Sequence, residues 1–373
     1  MYFVTEDWYF CSHRLSLACA ARQSGYQVSV LTRVNRHGDL IRSHGLDLIP
    51  LNIKRGGLNP FRELKTLYKV WRIYTRIRPA IVHHVALKPV IYGGLAALFL
   101  RDIHSIHLIA GLGAIFSSDR FRAKLLKKPV ELLLKVLFKS PTSRVIVQNT
   151  EDRNLMIDRM GIPANRVALI RGSGVDIRKF YPMPEPPGSV SIALVSRMLW
   201  DKGVGEFVAA IGLLKQRGID CSAVLVGEPD DENLTSVGRV RLRQWHDAGL
   251  IDWRGYCADI AEIWHNTHIA VLPAYREGLP KSLLEAAACG RPIVTTHTSG
   301  CKEIVRHGVN GFLVPVRDAR ALADALETLI QNPALRQTMG RAGRAMVEQD
   351  FSDERVIAAT LGLYEGEFSC DFS

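Results

Sequence analysis

The stretch His268-Ile-Ala-Val-Leu-Pro-Ala-Tyr-Arg-Glu-Gly-Leu-Pro-Lys-Ser-Leu-Leu-Glu285 decides the fold class. Its first five residues, His268–Leu272, read as a buried strand. Gly278 permits close backbone approach, and Pro280 suits the first position of a helix over Pro280–Cys289. A strand, a short loop and a helix in succession make half of a βαβ unit. Upstream the same alternation gives strand Val190–Val195, helix Gly205–Gln216, strand Ser222–Val226 and helix Asn233–Asp247. Downstream come strands Pro292–Thr295 and Gly311–Val314, then helices from Ala319 onward. The first half alternates as well. Its strands are expected at Tyr2–Thr5, Gln27–Leu31, Asp47–Leu51, Ala80–His84, Ile103–Ile109, Arg144–Val147 and Val167–Ile170, with helices such as Ser12–Ser24, Phe61–Ile77 and Thr150–Met160.

Strands separated by helices imply parallel sheets with right-handed crossovers. Between the two series stands Tyr181-Pro-Met-Pro-Glu-Pro-Pro-Gly188, whose prolines let neither helix nor strand continue. With 373 residues the chain has the length of about two domains. The expectation is α/β: two Rossmann-like, doubly wound parallel-sheet domains facing a cleft. They would span residues 1–180 and 190–350, joined by a linker at 181–189. A C-terminal helix within 351–373 would pack back toward the N-terminal domain. Ligands of such sheets bind beyond the carboxyl ends of the strands, so functional residues belong just after them.

Composition narrows the classes. Hydrophobic residues make up 47% and charged residues 23%, which excludes a disordered or fibrous chain. The longest apolar run, Pro89–Leu100, ends at Arg101 and is too short to span a bilayer. The first residues hold Glu6, Asp7 and His13 but no basic leader region, so no secretory signal is expected. Little of a first strand precedes Glu6, which suggests a start upstream of Met1. The cysteines at 11, 19, 221, 257, 289, 301 and 370 form no C-x-x-C pair, which disfavours disulfides or zinc and fits a reducing cytosol.

Charge is uneven. Residues 1–180 carry 29 Lys/Arg against 12 Asp/Glu, a net of +17; the remaining 19 basic and 25 acidic groups leave 181–373 at −6. Lys54–Arg78 and Arg120–Lys139 hold most of the excess, mixed with residues such as Leu64, Tyr68, Trp71, Leu132 and Phe138. Basic amphipathic helices have three readings: a solvated face, attachment to an anionic membrane surface, or nucleic-acid binding. No zinc finger, helix-turn-helix or RNA-binding aromatic signature supports the last.

Three constellations stand after strands. In the first, Glu277 lies in the loop and Glu285 in the helix that follows. The helix entrance offers free N–H groups and a positive dipole end, a seat for phosphate, and the two carboxylates can accept from sugar hydroxyls. Compensation of the helix dipole and a surface glutamate would explain the same residues. In the second, Ser196-Arg-Met-Leu-Trp-Asp-Lys-Gly203, Arg197 and Lys202 could both reach one diphosphate, or could be two exposed cations. In the third, Gly227 ends a strand and could admit a ligand to the backbone, while Tyr256 could stack on a base or pack the sheet edge.

Arg197, Lys202, Gly227, Gly255-Tyr256, Glu277-Gly-x-Pro280, Glu285, Gly300-x-x-Glu303 and Gly308-x-Asn310-Gly311 follow one another in an order that resembles the donor half of the retaining glycosyltransferases of family 4, which have the GT-B fold. The resemblance spans the whole chain and is strongest from Gly174 to Phe312. It implies that Arg197 and Lys202 hold a nucleotide-sugar diphosphate and that Glu285 binds the ribose. Glu277, Gly278, Leu279, Pro280 and Lys281 would hold the sugar at the reacting centre. The residues around Gly255-Tyr256 would border the base, with Gly227 beside them. Where many members have a glycine-rich loop, this chain has Glu6-Asp-Trp-Tyr-Phe-Cys-Ser-His-Arg14, and a histidine common in the family is replaced by Ala110-Gly111-Leu112-Gly113. Asp7-Trp-x-Phe-x-Ser-His-Arg14, Leu87-Lys88-Pro89 and Gly111-Leu-Gly113 resemble a subgroup that builds bacterial surface polysaccharides on polyprenyl diphosphate carriers. His13 and Lys88 then stand in as catalytic groups, with Gly111, Leu112 and Gly113 as an acceptor or phosphate loop.

The reading implies transfer of a hexosyl or N-acetylhexosaminyl group, first from a UDP-sugar, to a lipid-linked acceptor. No D-x-D stands at a strand end, so no metal or other cofactor is expected, and fixed cations would stabilise the leaving diphosphate. Glu277 and Glu285 belong to one loop-helix unit, which favours front-face retention over double displacement. The partners would be the donor, the acceptor and an anionic membrane, with no nucleic acid. The place would be cytoplasmic, peripheral at the inner face of the membrane. A GT-B epimerase and a non-catalytic basic membrane-binding protein are the alternatives.

Overall fold

The computed structural model describes residues 1–53, 59–100, 102–109 and 121–366, the side chains of 121–127 excepted. It divides into two compact units, Met1–Ser173 with the chain from Val356 on, and Gly174–Arg355.

The first unit runs β1 (Tyr2–Glu6), α1 (Asp7–His13), α2 (Leu15–Gln23), β2 (Ser29–Arg33), α3 (Gly38–Ser43), β3 (Asp47–Pro50), α4 (Pro60–Ile77), β4 (Ile81–Val85), α5 (Leu87–Leu98), β5 (His104–Leu108), α6 (Phe121–Lys139), β6 (Ser143–Val147), α7 (Thr150–Asn154) and β7 (Val167–Leu169). All strand pairs are parallel, in the order β3-β2-β1-β4-β5-β6-β7. Side chains alternate between the faces. Tyr2 and Val4 join the core beneath α1, α2 and α3, which includes Phe10, Leu17 and Ile41. Phe3 joins Val70, Tyr74 and Val82 beneath α4. Asn59 caps α4, its Oδ1 accepting from the N–H of Phe61 and Arg62, with Pro60 at the first helical position.

The apolar run Pro89–Leu100 forms most of α5, and among the described residues no helix is long and apolar enough to cross a membrane. The helix expected at Ser12–Ser24 starts at Asp7, directly after β1, and breaks at Arg14, where φ is −131°. Beyond Asn154 the helix expected to reach Met160 widens into a π turn at Leu155–Arg159.

The second unit runs β8 (Ser191–Val195), α8 (Val204–Gln216), β9 (Ser222–Val226), α9 (Arg239–Asp247), β10 (Asp252–Trp253), α10 (Ile260–His265), β11 (Ile269–Leu272), α11 (Lys281–Ala288), β12 (Ile293–Thr296), α12 (Ser299–Ile304), β13 (Gly311–Val314), α13 (Ala319–Gln331) and α14 (Pro333–Asp350). The sheet is parallel, ordered β10-β9-β8-β11-β12-β13. α9 begins at Arg239 instead of Asn233, because Ser236 bridges to Leu199 and the Val237 N–H donates to Met198 O at 2.8 Å. The last helix, α15 (Asp353–Glu365), lies from Val356 on against the core of α1 to α3.

The division falls at Ser173/Gly174 instead of residue 180. Val175 bridges to Ser352, and Phe180 is buried in the second unit's core. The proline-rich stretch is likewise part of that unit instead of a free linker. Arg291 donates to Met183 O at 3.0 Å and Arg336 to the Glu185 carboxylate at 2.8 and 2.9 Å; just before the stretch, Arg344 donates to Phe180 O at 2.7 Å.

One buried polar chain crosses the first sheet. Tyr74 Oη lies 3.0 Å from His84 Nε2, His84 Nδ1 lies 3.2 Å from His107 Nδ1, and His107 Nε2 lies 3.3 Å from Ser143 Oγ. Gly93 of α5 leaves room for it, since a Cβ there would stand 2.1 Å from His84 Nε2. Both rings are fully buried, and two neutral imidazoles satisfy every contact. A further proton on each ring would set donor against donor between the two Nδ1 atoms. Burial accordingly holds both rings below their ordinary pKa, His107 at about 3. The unfolded chain takes these protons near pH 6.5 and the folded chain does not. Stability should therefore be intact above that pH and fall below it by about 1.4 kcal/mol per pH unit for each imidazole. Urea midpoints at pH 7.5 and pH 5 measure this, and His107→Gln should flatten the dependence; equal midpoints in the unchanged protein would contradict it.

Candidate functional site

In the second sheet the strand order reverses between β8 and β11, where an open α/β sheet parts its loops for a ligand. The loop after β8 is Ser196–Gly203, and the loop after β11 is Pro273–Pro280. They are stitched together. The Tyr275 N–H donates to Asp201 O at 2.9 Å, and Gly203, with φ +73°, lies so close to Pro273 that a Cβ would stand 2.1 Å from its carbonyl oxygen. This contact sets Lys202 beside Glu277. Lys202 Nζ donates to Glu277 Oε1, and both side chains are less than a fifth exposed.

The loop of Glu277 is backed by α12, whose Gly300 is so close that a Cβ would stand 2.3 Å from Gly278 O. Leu279 packs partly buried against the core. Pro280 occupies the cap of α11 instead of its first helical position, and no side chain caps that helix. The Leu283 N–H turns back to Pro280 O at 3.2 Å, and the positive end of the helix dipole still faces this loop. One turn on, Lys281 Nζ is 4.0 Å from Glu285. Burial raises the Glu285 pKa from its ordinary value, opposed by the charges of Lys281 and Lys179.

Arg197 turns to the other side of β8. Its Nη1 donates to Asp230 Oδ2 at 2.5 Å, in the loop after β9. The two cations thus flank the end of β8, each tied to a carboxylate of a neighbouring loop. Gly227 has φ +135°, and a Cβ would stand 1.8 Å from Ser196 O, so backbone crowding accounts for the glycine. Trp253 Nε1 donates to Gly227 O at 2.9 Å. The Tyr256 side chain does not pack the sheet edge: the residue is 72% exposed, and its N–H donates to Glu228 Oε1 at 3.3 Å.

Two features escaped the sequence. Asp230, the partner of Arg197, sits in Glu228-Pro-Asp-Asp231, which carries no periodic signal. Tyr275 was visible in its motif without a role. Its hydroxyl donates to Glu206 Oε1 at 2.5 Å, and the Arg317 guanidinium lies 4.6 Å from its ring centre. Burial and Glu206 push its pKa up to about 12.

The first sheet reverses between β1 and β4. After β1, Asp7 is fully buried and accepts from the N–H of Asn35 at 2.6 Å and His37 at 2.9 Å, while Glu6 accepts from Arg33 Nε at 3.1 Å. These carboxylates fasten the loop after β2. His13 ends α1, with its ring stacked on Tyr9 at 4.1 Å. After β4, Lys88 Nζ donates to both Glu63 oxygens at 3.1 and 3.3 Å, and the Tyr92 hydroxyl donates to the same carboxylate. Gly111, Leu112 and Gly113 lie outside the described residues. No group of three or more His, Cys, Asp or Glu able to hold a metal ion occurs among the described residues.

Comparison with known proteins adds to this geometry. Residues 1–149 match the family described as Glycosyl transferase 4-like, and residues 189–332 match Glycosyl transferases group 1. The chain is 27% identical over 366 residues, 94% of each protein, to an N,N'-diacetylbacillosaminyl-diphospho-undecaprenol alpha-1,3-N-acetylgalactosaminyltransferase of Campylobacter jejuni. It is 24% identical to the capsular polysaccharide biosynthesis glycosyltransferase CapM of Staphylococcus aureus, over 91% of this chain and 92% of that one. Among solved structures, sucrose-phosphate synthase of Thermosynechococcus elongatus superposes with a TM-score of 0.78 at 22% identity, over 99% of this chain and 98% of that one. HepE of Anabaena, solved with UDP and glucose, gives 0.78 at 19% identity over 98% of both chains. These likenesses establish the fold as GT-B.

The stitch between the loops after β8 and β11 is testable without a substrate. Gly203→Ala forces a methyl group against the Pro273 carbonyl at a positive φ, and should cost roughly 2–4 kcal/mol in urea unfolding. A loss under about 1 kcal/mol would show that the two loops separate freely.

Proposed function

We propose, from the premise that this chain is a glycosyltransferase, belonging to the 4-like family in its N-terminal half and to group 1 in its C-terminal half, that it moves a hexosyl or N-acetylhexosaminyl group from a UDP-sugar to a polyprenyl-diphosphate-linked sugar, with retention, in polysaccharide assembly. The observation that carries this reading is the Lys202–Glu277 pair at the point where the second sheet reverses. The full-length likeness to the Campylobacter jejuni transferase supports the acceptor class.

A diphosphate brings two negative charges to the end of β8. Lys202 then exchanges a single carboxylate for the stronger anion, and Arg197 approaches from the side of β9. The positive dipole end of α11 adds to their charge. Charge fixed in this way meets the departing phosphate without reorganising, which is where such sites gain rate. A metal ion is not required in this scheme. The exchange frees Glu277 Oε1 for a sugar hydroxyl next to the reacting carbon. Glu285 accepts from the ribose, and Tyr256 borders the base. Both glutamates lie on the donor side, so the acceptor hydroxyl attacks from the face the phosphate leaves, and the phosphate takes its proton. On the first unit, Lys88 is neutralised by Glu63 and positions an anionic head better than it abstracts a proton. His13, stacked on Tyr9, is the other catalytic group of this reading.

The membrane part of the proposal rests on α4. Arg62, Lys65, Lys69, Arg72 and Arg76 are all exposed on it, beside the exposed aromatic residues Phe61, Tyr68 and Trp71. Each cation near an anionic leaflet contributes about 1 kcal/mol. The protein acts in this reading at the inner, cytoplasmic face of the membrane, without nucleic acid.

Transfer of radiolabelled sugar from UDP-N-acetylhexosamines, other UDP-sugars and GDP-mannose tests the reaction. Glu277→Gln should lower kcat by roughly 10²–10³-fold with folding intact, and EDTA should leave turnover unchanged. Glu285→Gln should raise donor KM by about 10-fold or more. Because its pKa is raised, Glu285 should lose its charge on acidification before an ordinary carboxylate does. Donor KM should therefore climb as pH falls toward the carboxylate range, and Glu285→Gln should remove that climb. Full activity in Glu277→Gln would remove the site assignment.

Attachment is read by co-sedimentation with vesicles. Phosphatidylglycerol vesicles should retain the protein at low salt and release it at high salt, and neutral vesicles should not bind it. Indifference to anionic vesicles would end the membrane reading.

A further inference from the structure

The exposed side of α4 carries two stripes. Phe61, Leu64, Tyr68 and Trp71 recur at intervals of three and four residues, and Arg62, Lys65, Lys69 and Arg72 follow one position behind. Residues three and four apart share a helix face, so the apolar and cationic stripes adjoin. The apolar stripe continues into a groove of about 520 Å³. One wall is Leu64, Leu67, Tyr68 and Trp71 of α4; the other includes Leu95 of α5 and Phe99 just past its end. This volume is in the range of sites that hold small ligands, and the donor chemistry above makes no use of it.

The groove has a direction. α4 and α5 meet near their N-terminal ends, where Glu63 binds Lys88 and Tyr92, and they run the same way from there. Lys88 lies three residues past the carboxyl end of β4, at the reversal of the first sheet. Phe99 lies eleven residues further on, about 16 Å along the helix at its usual rise.

We propose that this groove seats the first isoprene units of the acceptor's polyprenyl chain, an inference that rests on the acceptor class proposed above. The alternative occupant is bilayer hydrocarbon. Phe61 and Phe99, 85% and 76% exposed, protrude and suit insertion into a bilayer. A concavity lying between α4 and α5 instead requires a chain that enters it. A tail tethered to a head group at the edge by Lys88 reaches the groove at an effective concentration that free acyl chains lack. The cations along the apolar wall suit an amphiphile whose head is a diphosphate.

The test uses the full chain without detergent, with sugar-linked diphosphates bearing methyl, geranyl or geranylgeranyl tails. Acceptor KM should fall by at least about tenfold from methyl to geranylgeranyl. Leu64→Arg alters an exposed position and adds a cation, so it should not weaken attachment to anionic vesicles, yet it should erase most of the gain. Phe99→Ala, also at an exposed position, should erase part of it. A KM that ignores tail length overturns the proposal. So does a Leu64→Arg variant that keeps the full gain but loses vesicle binding, because the groove is then a bilayer contact. Binding is read separately as quenching of tryptophan fluorescence by geranylgeranyl phosphate, expected to weaken several-fold in Leu64→Arg. If no tail supports transfer while quenching and its loss hold, the acceptor reading fails and the groove stands; if transfer proceeds and quenching is absent, the groove fails and the reaction stands.

Discussion

A backbone hydrogen bond, from the Tyr275 N–H to Asp201 O, holds the loop after β11 against the loop after β8. Each loop alone is a turn between a strand and a helix. Joined, they bring Lys202 to Glu277 although the two are 75 residues apart in sequence. The junction tolerates little variation. Gly203 sits where a Cβ would strike Pro273, and Gly300 sits where one would strike Gly278, so the Glu277 loop is confined from two sides. Tyr275 adds a third restraint by reaching Glu206 at the start of α8. A long glutamate and a longer lysine would otherwise sample many rotamers; here their backbones are placed before their side chains meet.

The ion pairs at this edge do little for stability. Pairs that retain solvent contact contribute between nothing and about 1 kcal/mol. Their effect is positional. Arg197 is drawn toward β9 by Asp230 and Lys202 toward β11 by Glu277, so the cations bracket β8 and do not lie in one cluster. Separation of this kind suits an anion with two phosphoryl groups better than one with a single charge. The first unit treats its edge differently. Glu6 and Asp7 are used up in fastening the loop after β2. The residues that stand in for a glycine-rich loop therefore shape that edge and leave anion binding to other groups.

Much of the architecture was legible because strand and helix have different periods. Strands such as Ser222–Val226 and Gly311–Val314 match their expected limits, since apolar runs bounded by glycine or polar residues leave few alternatives. The failures share a cause. Asn233–Val237 looks helical by composition but is captured by Leu199 and Met198, contacts between residues far apart in sequence. β10 has two residues, too few for any periodic signal. The proline-rich stretch announces a break in regular structure, but not that Arg291 and Arg336 would bind it to the second unit. At the site, Glu277 and Glu285 were legible because a loop and one helix carry both. The pairing of Lys202 with Glu277 was not, because it depends on which strands become neighbours.

Charge and chemistry occupy different parts of this chain. Among the described residues, most of the cations of the first 180 are exposed. The five cations of α4 from Arg62 to Arg76 are all exposed, while its inward residues Thr66, Val70 and Tyr74 are buried and uncharged. The proposed donor cations, by contrast, lie in the half whose net charge is −6, each next to a carboxylate. A basic field over the donor loops would hold anions of every kind there. Cations already matched by Asp230 and Glu277 yield only to an anion that offers more charge at the right spacing. The acidic excess of the second half is thus consistent with selective binding of a diphosphate, and the basic excess of the first half is free to act over longer range at a surface.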